Sequence, residues 1–336
     1  MTTFEHRLAA FLEAHGQPSE LHLLTADAST REYFRVGWDG ERAVACVYPE
    51  PFGVSERNYL DTTELFLAGG LPVARVYTAD VDHGIIIQED LGDRILRDEL
   101  DEADASKRTT LLNEAIAMVA MIQKDTPLAF QRQAIASTLK FDTEKLLWEL
   151  NYFKEHYFTT FAKRPLLERD GTALDEEFRE VAKELEAKAK VLCHRDFHAA
   201  NLMIDTRGKM RIIDHQDARI GSPAYDLVSL LLDRITEPPS REWLAEKRRY
   251  FLDLRVTLGM PRLDEEDFAN EFRLQAIQRC LKAVGTFSYQ SEMRGKTYFI
   301  PYIMPMFRIV SRVAESLGRF PAIRDILGRE LGRSNS

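Results

Sequence analysis

The segment Val191–Asp217, VLCHRDFHAANLMIDTRGKMRIIDHQD, leaves the chain few ways to fold. Two short apolar runs, Asn201–Ile204 and Met210–Ile213, flank the turn Thr206-Arg207-Gly208. Apolar runs around a Gly-bearing turn predict two short strands, so the segment reads as loop, hairpin, loop. A hairpin of this kind is expected to bring Asp196, Asn201 and Asp214 to one edge.

Those three residue types belong to one chemistry. Mg²⁺ is a hard cation that takes oxygen ligands and keeps several waters, so one amide and one carboxylate leave room for phosphates. A carboxylate on the preceding loop orients an acceptor hydroxyl and takes its proton. The set is what phosphoryl transfer from ATP with Mg²⁺ requires. Asp196 is therefore expected as the catalytic carboxylate, and Asn201 and Asp214 as the metal ligands. An HRD triplet alone is weak; HxDxxxxN followed by a strand-borne IID is specific. His194 and Arg195 are expected to brace the loop. Asp226 follows a proline and opens a helix, where it is expected to cap and to brace the same loop.

The chain's 336 residues suggest two domains or lobes. A net charge of −9 argues against a dedicated nucleic-acid binder and reads as solubility. Cys46, Cys193 and Cys280 are far apart and lack CxxC spacing, so neither a disulfide framework nor a zinc site is expected. A reduced, cytoplasmic protein fits this usage. Cys193 reads as a packing thiol. No apolar run reaches the ~18 residues a membrane helix needs, and MTTFEHRLAAFLEAHG lacks a signal-peptide core. It reads as an amphipathic helix starting after Thr2 or Thr3 and ending at Gly16.

The first part of the chain alternates strand and turn signals. LHLL, YFRVGW and AVACVY read as strands, the last two joined by Asp39-Gly40. A helix over Ser55–Leu67 stops at Gly69-Gly70. VARVYTA and GIIIQED then read as a strand pair around a turn at Asp82–Gly84. Gln88–Gly92 reads as a hinge. Beyond it the pattern is helical over Ser106–Gln123, Asp142–Tyr157, Asp175–Lys188, Ala224–Arg234, Arg241–Leu258, Asp264–Phe287 and Tyr298–Leu317. The terminal GRSNS is expected to fray.

HRDFHAAN, IIDHQD and GSPAYDLVSLL together resemble the aminoglycoside phosphotransferase superfamily, small-molecule kinases with a protein-kinase-like fold. STREYFRV, HRDFHxxNLM and QRCLKAVGTF are most similar to bacterial N-acetylmuramate/N-acetylglucosamine anomeric kinases of cell-wall recycling. The resemblance implies an α+β, bilobal fold. An N-lobe over residues 1–90 carries a small antiparallel sheet with one main helix and binds nucleotide. A larger, mostly helical C-lobe over 91–336 carries the catalytic loop and acceptor site. By the same resemblance the loop Asp27–Arg31 covers the ATP phosphates, with Ser29, Thr30 and Arg31 as contacts and Glu89, in the hinge, on the nucleotide side.

One departure from the pattern stands out. The third strand has no lysine near Cys46 or Val47 to reach the α- and β-phosphates. Arg31 and Arg35 are candidates to replace it, Arg31 foremost, and Glu64 lies on the helix that would pair with such a cation. His215-Gln216 stands where a protein kinase has Phe-Gly, His198 stands where it has lysine, and no APE-like element follows. A small-molecule acceptor is therefore expected over a protein.

For the acceptor, Gln216, Asp217, Arg279 and Lys282 are candidates, the last two sharing a helix face at a spacing of three. Arg279 and Lys282 also read as the solvated basic edge of a long helix. Tyr152, Phe153, Tyr157, Phe287 and Tyr289 are candidates to stack on a sugar ring, though helical spacing places such residues more often in a core. The expected reaction is phosphorylation of an amino sugar at its anomeric hydroxyl, without nucleic-acid or membrane partners. An aminoglycoside, choline or homoserine-type kinase is the alternative, for which an acidic pocket from Glu271 and Glu292 would suit a polycation. A catalytically silent nucleotide sensor or scaffold is the alternative of another class.

Overall fold

The computed structural model describes residues 3–18, 20–24, 31–49 and 52–334, without the side chains of Val54, Ser55, Glu56 and Ser334. In chain order the elements are α1 (Thr3–Ala14), β1 (His22–Leu24), β2 (Glu32–Trp38), β3 (Glu41–Val47), α2 (Val54–Ala68), β4 (Val76–Asp80), β5 (Ile85–Glu89), β6 (Arg94–Ile95), α3 (Leu96–Glu102) and α4 (Ala105–Lys124). Then come α5 (Thr126–Gln131), α6 (Ile135–Thr138), α7 (Thr143–Phe153), a π-helix (Lys154–Phe161), α8 (Glu168–Lys188), β7 (Val191–Cys193), β8 (Leu202–Ile204), β9 (Met210–Ile212), β10 (Arg219–Gly221) and α9 (Tyr225–Leu232). The helices α10 (Arg241–Thr257), α11 (Glu265–Arg294), α12 (Ile303–Leu317) and α13 (Pro321–Ser334) follow. The chain divides into two compact units, 1–108 with 200–217, and 109–199 with 218–336. The functional lobe boundary read at 90/91 remains a proposal beside these units of packing.

The first unit is built on an antiparallel sheet in the order β1-β2-β3-β5-β4. Asp39 and Gly40 join β2 to β3 with φ of 49° and 81°. Two consecutive left-handed residues match the right-handed twist of the flanking strands, which is why Asp-Gly sets this register. Alternation along β3 then sorts its side chains. Ala43, Ala45 and Val47 pack with Leu8, Phe11 and Leu12 of α1. Cys46 and Tyr48 pack with Ile86, Tyr59 and Leu60 on the α2 side. Because the strand period is two, a one-residue slip would exchange these sets. A second sheet in this unit, β6-β8-β9, carries the hairpin expected from the sequence, one residue shorter at each outer end.

The second unit is mainly helical. Asp142 caps α7 by accepting the Lys145 N–H at 2.7 Å, and Ser240 caps α10 through the Trp243 N–H at 3.1 Å. Asp264 caps α11 through the Glu266 and Asp267 N–H groups, both at 3.0 Å. Leu146, Leu150 and Phe153 of α7 are buried, at the spacing of one helix face. Full burial of each such side chain contributes about 1.5–3 kcal/mol. Strands β7 and β10 form an antiparallel pair on either side of the catalytic-loop sequence.

Several elements differ from the sequence reading. Helix α8 begins at Glu168 rather than Asp175, because Glu168 and Asp170 favour a helix start and Gly171 is absorbed within it. Helix α11 continues past Phe287 to Arg294 and stops at Gly295, whose φ of 68° closes the left-handed cap. Tyr298 lies in a 3₁₀ segment, Thr297–Tyr302, and α12 starts only at Ile303. Helix α13 opens on Pro321 and runs to Ser334; the last two residues of GRSNS lie outside the described residues. The three cysteines are free and buried. No helix among the described residues is long and apolar enough to cross a membrane.

Candidate active site

In the second unit, β7 delivers the chain into His194-Arg195-Asp196. Asp226, in the first turn of α9, is fully buried and accepts the N–H of His194 at 2.7 Å and of Arg195 at 3.0 Å. Burial raises its pKa, against the lowering effect of His194 and the two N–H donors. The bracing role expected of Asp226 fits this geometry. The capping role does not, since α9 has no side-chain cap and the carboxylate is spent on the loop. Arg195 adopts a φ of 87°, a conformation that L residues rarely take and that persists only where the surroundings hold it. His194 is buried with its ring edge-on to Phe197 at 5.6 Å.

Asp196 sits among cations. Lys282 Nζ is 3.2 Å from it, Arg279 3.7 Å and Arg195 3.8 Å. Burial works to raise its pKa, but Lys282, then Arg279, Arg195 and His198 outweigh that and hold it well below the usual carboxylate range. Arg279 and Lys282 share a face of α11, as the spacing predicted. They are not a solvated edge: the Arg279 side chain is 8 % exposed and its guanidinium lies over the Tyr225 ring at 5.2 Å. Glu149 was not anticipated. It is fully buried on α7, 3.8 Å from Arg195, and accepts from Gln278 at 2.6 Å. Its signal was present in the sequence, since a lone carboxylate among Leu146, Leu150 and Phe153 on one apolar face requires a partner.

In the first unit, the hairpin β8–β9 pins Asn201 and Asp214 together. The Ile213 N–H donates to the Asn201 carbonyl at 3.1 Å, and Asn201 Nδ2 donates to Asp214 Oδ2 at 3.2 Å. Gln216 Nε2 donates to Asp214 Oδ1 at 2.9 Å. Asp214 is exposed and has a φ of 62°, a second non-glycine residue in the left-handed region. A carboxylate and an amide side chain together at a solvent-facing hairpin end offer the oxygen donor types that Mg²⁺ takes, and Mg²⁺ asks for few protein ligands. No cluster of three His, Cys, Asp or Glu residues suited to a metal occurs among the described residues. Asp217 is half-buried at the end of this segment.

Two further residues hold the hairpin, and sequence reasoning missed both. Arg211 bonds Glu89 at 2.7 Å and Asp205 at 3.1 Å, and donates to the carbonyl of Val73 at 3.0 Å. Glu89, read as a nucleotide-side residue, therefore has its carboxylate engaged in this brace. His215 binds Thr63 Oγ1 at 2.6 Å and lies against Tyr59, ring centroids 4.9 Å apart, which fixes the residue after Asp214 to α2. Neither the Arg211–Glu89 nor the His215–Thr63 pairing has a sequence signal, because those partners are 122 and 152 positions apart.

The two arginines considered for the missing lysine's role have different surroundings. Ser29 and Thr30 lie outside the described residues, with most of the Asp27–Arg31 loop. Arg35 is held by Asp90 at 2.7 Å and Asp93 at 2.8 Å, so its guanidinium is already engaged by two carboxylates. Arg31 is half-buried beside Cys46, over the rings of Tyr48 at 5.4 Å and Tyr33 at 5.9 Å, and donates to the Tyr48 hydroxyl at 3.3 Å. Its charge thus lies on the Cys46–Tyr48 face of the sheet. Glu64 is exposed on α2.

The acidic pocket expected for a polycation does not form. Glu271 is buried and accepts from Ser222 Oγ at 2.6 Å and the Ala224 N–H at 3.1 Å. Glu292 pairs with Lys163 at 2.7 Å.

Comparison with known proteins gives the family and the fold. The phosphotransferase enzyme family matches residues 20–265. N-acetylmuramate/N-acetylglucosamine kinase of Neisseria meningitidis serogroup B is 31% identical over 318 residues, 93% of this chain and 92% of that protein. The protein of the same name from Pseudomonas aeruginosa is 28% identical, covering 87% of this chain and 82% of its own. Among solved structures, the gentamicin-APH(2")-IIa complex aligns with a TM-score of 0.61 at 14% identity, over 92% of this chain and 97% of that one. Choline kinase LicA from Streptococcus pneumoniae aligns with a TM-score of 0.58 at 14% identity, over 93% and 100%. These structural likenesses establish the kinase-like fold. The chain belongs to the phosphotransferase enzyme family and is a small-molecule kinase with an alcohol group as acceptor.

Proposed function

We propose that the protein transfers the γ-phosphoryl group of ATP to the anomeric hydroxyl of an N-acetylated amino sugar, N-acetylmuramate or N-acetylglucosamine, giving the sugar 1-phosphate and ADP. The observation that carries the reading is one of charge. Arg279 and Lys282 both lie within 4 Å of Asp196, at 3.7 and 3.2 Å. Cations beside the catalytic carboxylate oppose a polycationic acceptor and favour a neutral or anionic one, such as a sugar bearing a lactyl carboxylate. The relatives' names point the same way.

In this reading Asp196, kept ionised by its neighbours, orients the acceptor hydroxyl and takes its proton as the new O–P bond forms and the bond to the β-phosphate oxygen breaks. Positioning supplies most of the acceleration, so a weak base suffices. Asn201 and Asp214 hold the magnesium ion, which when bound offsets charge on the phosphate oxygens. Gln216 orients Asp214, and Asp217 lines the same segment. Arg31 supplies the cation that β3 lacks, with Ser29 and Thr30 beside it on the phosphate loop. Lys282 and Arg279 meet the acceptor, while His194, Arg195, Asp226 and Glu149 hold the loop.

The test is coupled ADP release with Mg-ATP against N-acetylmuramate, N-acetylglucosamine, glucosamine, kanamycin and choline. Turnover on the N-acetylated sugars, with an alkali-stable but acid-labile phosphate on C1, is the expected result. Turnover confined to kanamycin or choline would replace the substrate.

A further inference from the structure

Four aromatic side chains of the second unit gather on one surface strip. Tyr152 lies 4.1 Å from His156 and 6.1 Å from Tyr289, centroid to centroid, and His156 lies 5.0 Å from Tyr289. Trp148, 5.6 Å from Tyr152, extends the strip and is 55% exposed, with Lys145 over its ring. Of the five aromatics first considered for sugar stacking, Phe153, Tyr157 and Phe287 are buried in the core, whereas Tyr152 and Tyr289 stay half-exposed.

The placement of this strip follows from two helices that ascend together from the catalytic loop. Glu149 of α7 touches Gln278 of α11 and lies 3.8 Å from Arg195. One turn on, Lys282 of α11 reaches Asp196 at 3.2 Å. The next turn brings Tyr152 and Phe153 against Gly285. A Cβ there would stand 2.8 Å from Phe153 Cα and 3.0 Å from Tyr152 Cδ1, so only glycine admits this approach. A further turn places Tyr289 beside His156. Residues 282, 285 or 286, and 289 share one helix face. At 1.5 Å per residue, Tyr289 lies about 10 Å along α11 from Lys282, within the span of one substituted pyranose. Between Tyr152 and His156 the helix also changes from α to π at Lys154, a rare geometry that recurs at functional sites.

We infer that Tyr152, His156 and Tyr289 form the platform against which the acceptor's pyranose ring packs while Lys282 and Asp196 engage its polar end; the inference rests on the amino-sugar reading above. A pyranose offers one face of C–H groups and a rim of hydroxyls. Half-exposed rings with polar edges match both parts. The platform assigns specificity to the sugar ring.

The test is steady-state kinetics of Tyr152→Ala and Tyr289→Ala, varying acceptor and nucleotide separately. The expected result is an acceptor KM raised about tenfold, the size of one aromatic contact, with nucleotide KM and melting temperature near wild type. Tyr289→Phe, which keeps the ring face, should recover most of the affinity lost in Tyr289→Ala. An acceptor KM unmoved in both alanine variants, on an amino sugar the wild type does phosphorylate, would overturn the platform alone. Parallel rises in both KM values with a lowered melting temperature would also overturn it, as a folding effect. Absence of wild-type turnover on any pyranose would overturn the amino-sugar reading and this inference with it.

Discussion

Two aspartates carry the proposed chemistry, and their surroundings are opposite. Asp196 in the second unit is 24% exposed and ringed by Lys282, Arg279 and Arg195. Asp214 in the first unit is exposed, and the side chains that bond it, Asn201 and Gln216, are neutral amides. A carboxylate already compensated by three protein cations has little charge left to draw in a divalent ion. A carboxylate steadied by amide donors keeps its charge for one. The same residue type is thus prepared for a proton and a hydroxyl in one place and for a metal in the other, and the neighbours make the difference.

The largest effects should come from removing the two carboxylates, and they should differ in kind. Asp196→Asn is expected to lower kcat by about 10²–10⁴-fold while leaving nucleotide binding and the magnesium requirement near wild type. Asp214→Asn should also suppress turnover, but with the magnesium midpoint raised at least about tenfold. Titrating both variants with magnesium in a nucleotide-binding assay checks this. Equal shifts in the two midpoints would erase the contrast.

Lys282→Met sharpens the comparison from the other side. With Lys282 present, the Asp196 carboxyl titrates well below the usual range, so the group stays ionised as pH falls. Removing that cation raises its pKa, so the acid limb of kcat/KM should move to higher pH, with Arg279 and Arg195 limiting the move. An unmoved limb would mean that the titration read in the profile belongs to another group.

The smallest effect concerns a carboxylate whose burial outweighs its weak cationic compensation. Asp125 is 8% exposed and its Oδ2 has no hydrogen-bond partner among the described residues. Burial pushes its pKa up to about 6 from 3.8, Lys124 only partly offsetting this. Because the folded value is the higher one, stability is lost as pH rises from the unfolded value through the folded one. Asp125→Asn removes the penalty and should raise stability by about 1–2 kcal/mol near pH 8, and not near pH 4. Melting curves at the two pH values test it; a gain of the same size at both would assign it to something other than ionisation.

Much of the site was legible before the fold. Asp196, Asn201 and Asp214 follow from residue type and spacing. Arg279 and Lys282 follow from a shared helix face. The β2–β3 register follows from Asp39-Gly40. What escaped was the support. Arg211 in the hairpin meets Glu89, 122 positions away, and His215 meets Thr63, 152 positions away. No local pattern encodes such pairs. The Asp27–Arg31 loop, apart from Arg31, lies outside the described residues.

The sequence by itself determined the class of chemistry and the short-range geometry: which carboxylates and amide are the candidates, that a hairpin separates Asn201 from Asp214, and where most helices run. Those depend on side-chain type, turn stereochemistry and apolar periodicity, all of which act over a few residues. Only the tertiary structure decided the electrostatic setting of each group. It placed Arg279 and Lys282 on Asp196, spent Glu271 and Glu89 on structural bonds, and left Tyr152 and Tyr289 at the surface while burying Phe153, Tyr157 and Phe287. The physical reason is that charge, burial and exposure are properties of neighbours brought together by packing, and a one-dimensional sequence does not name them.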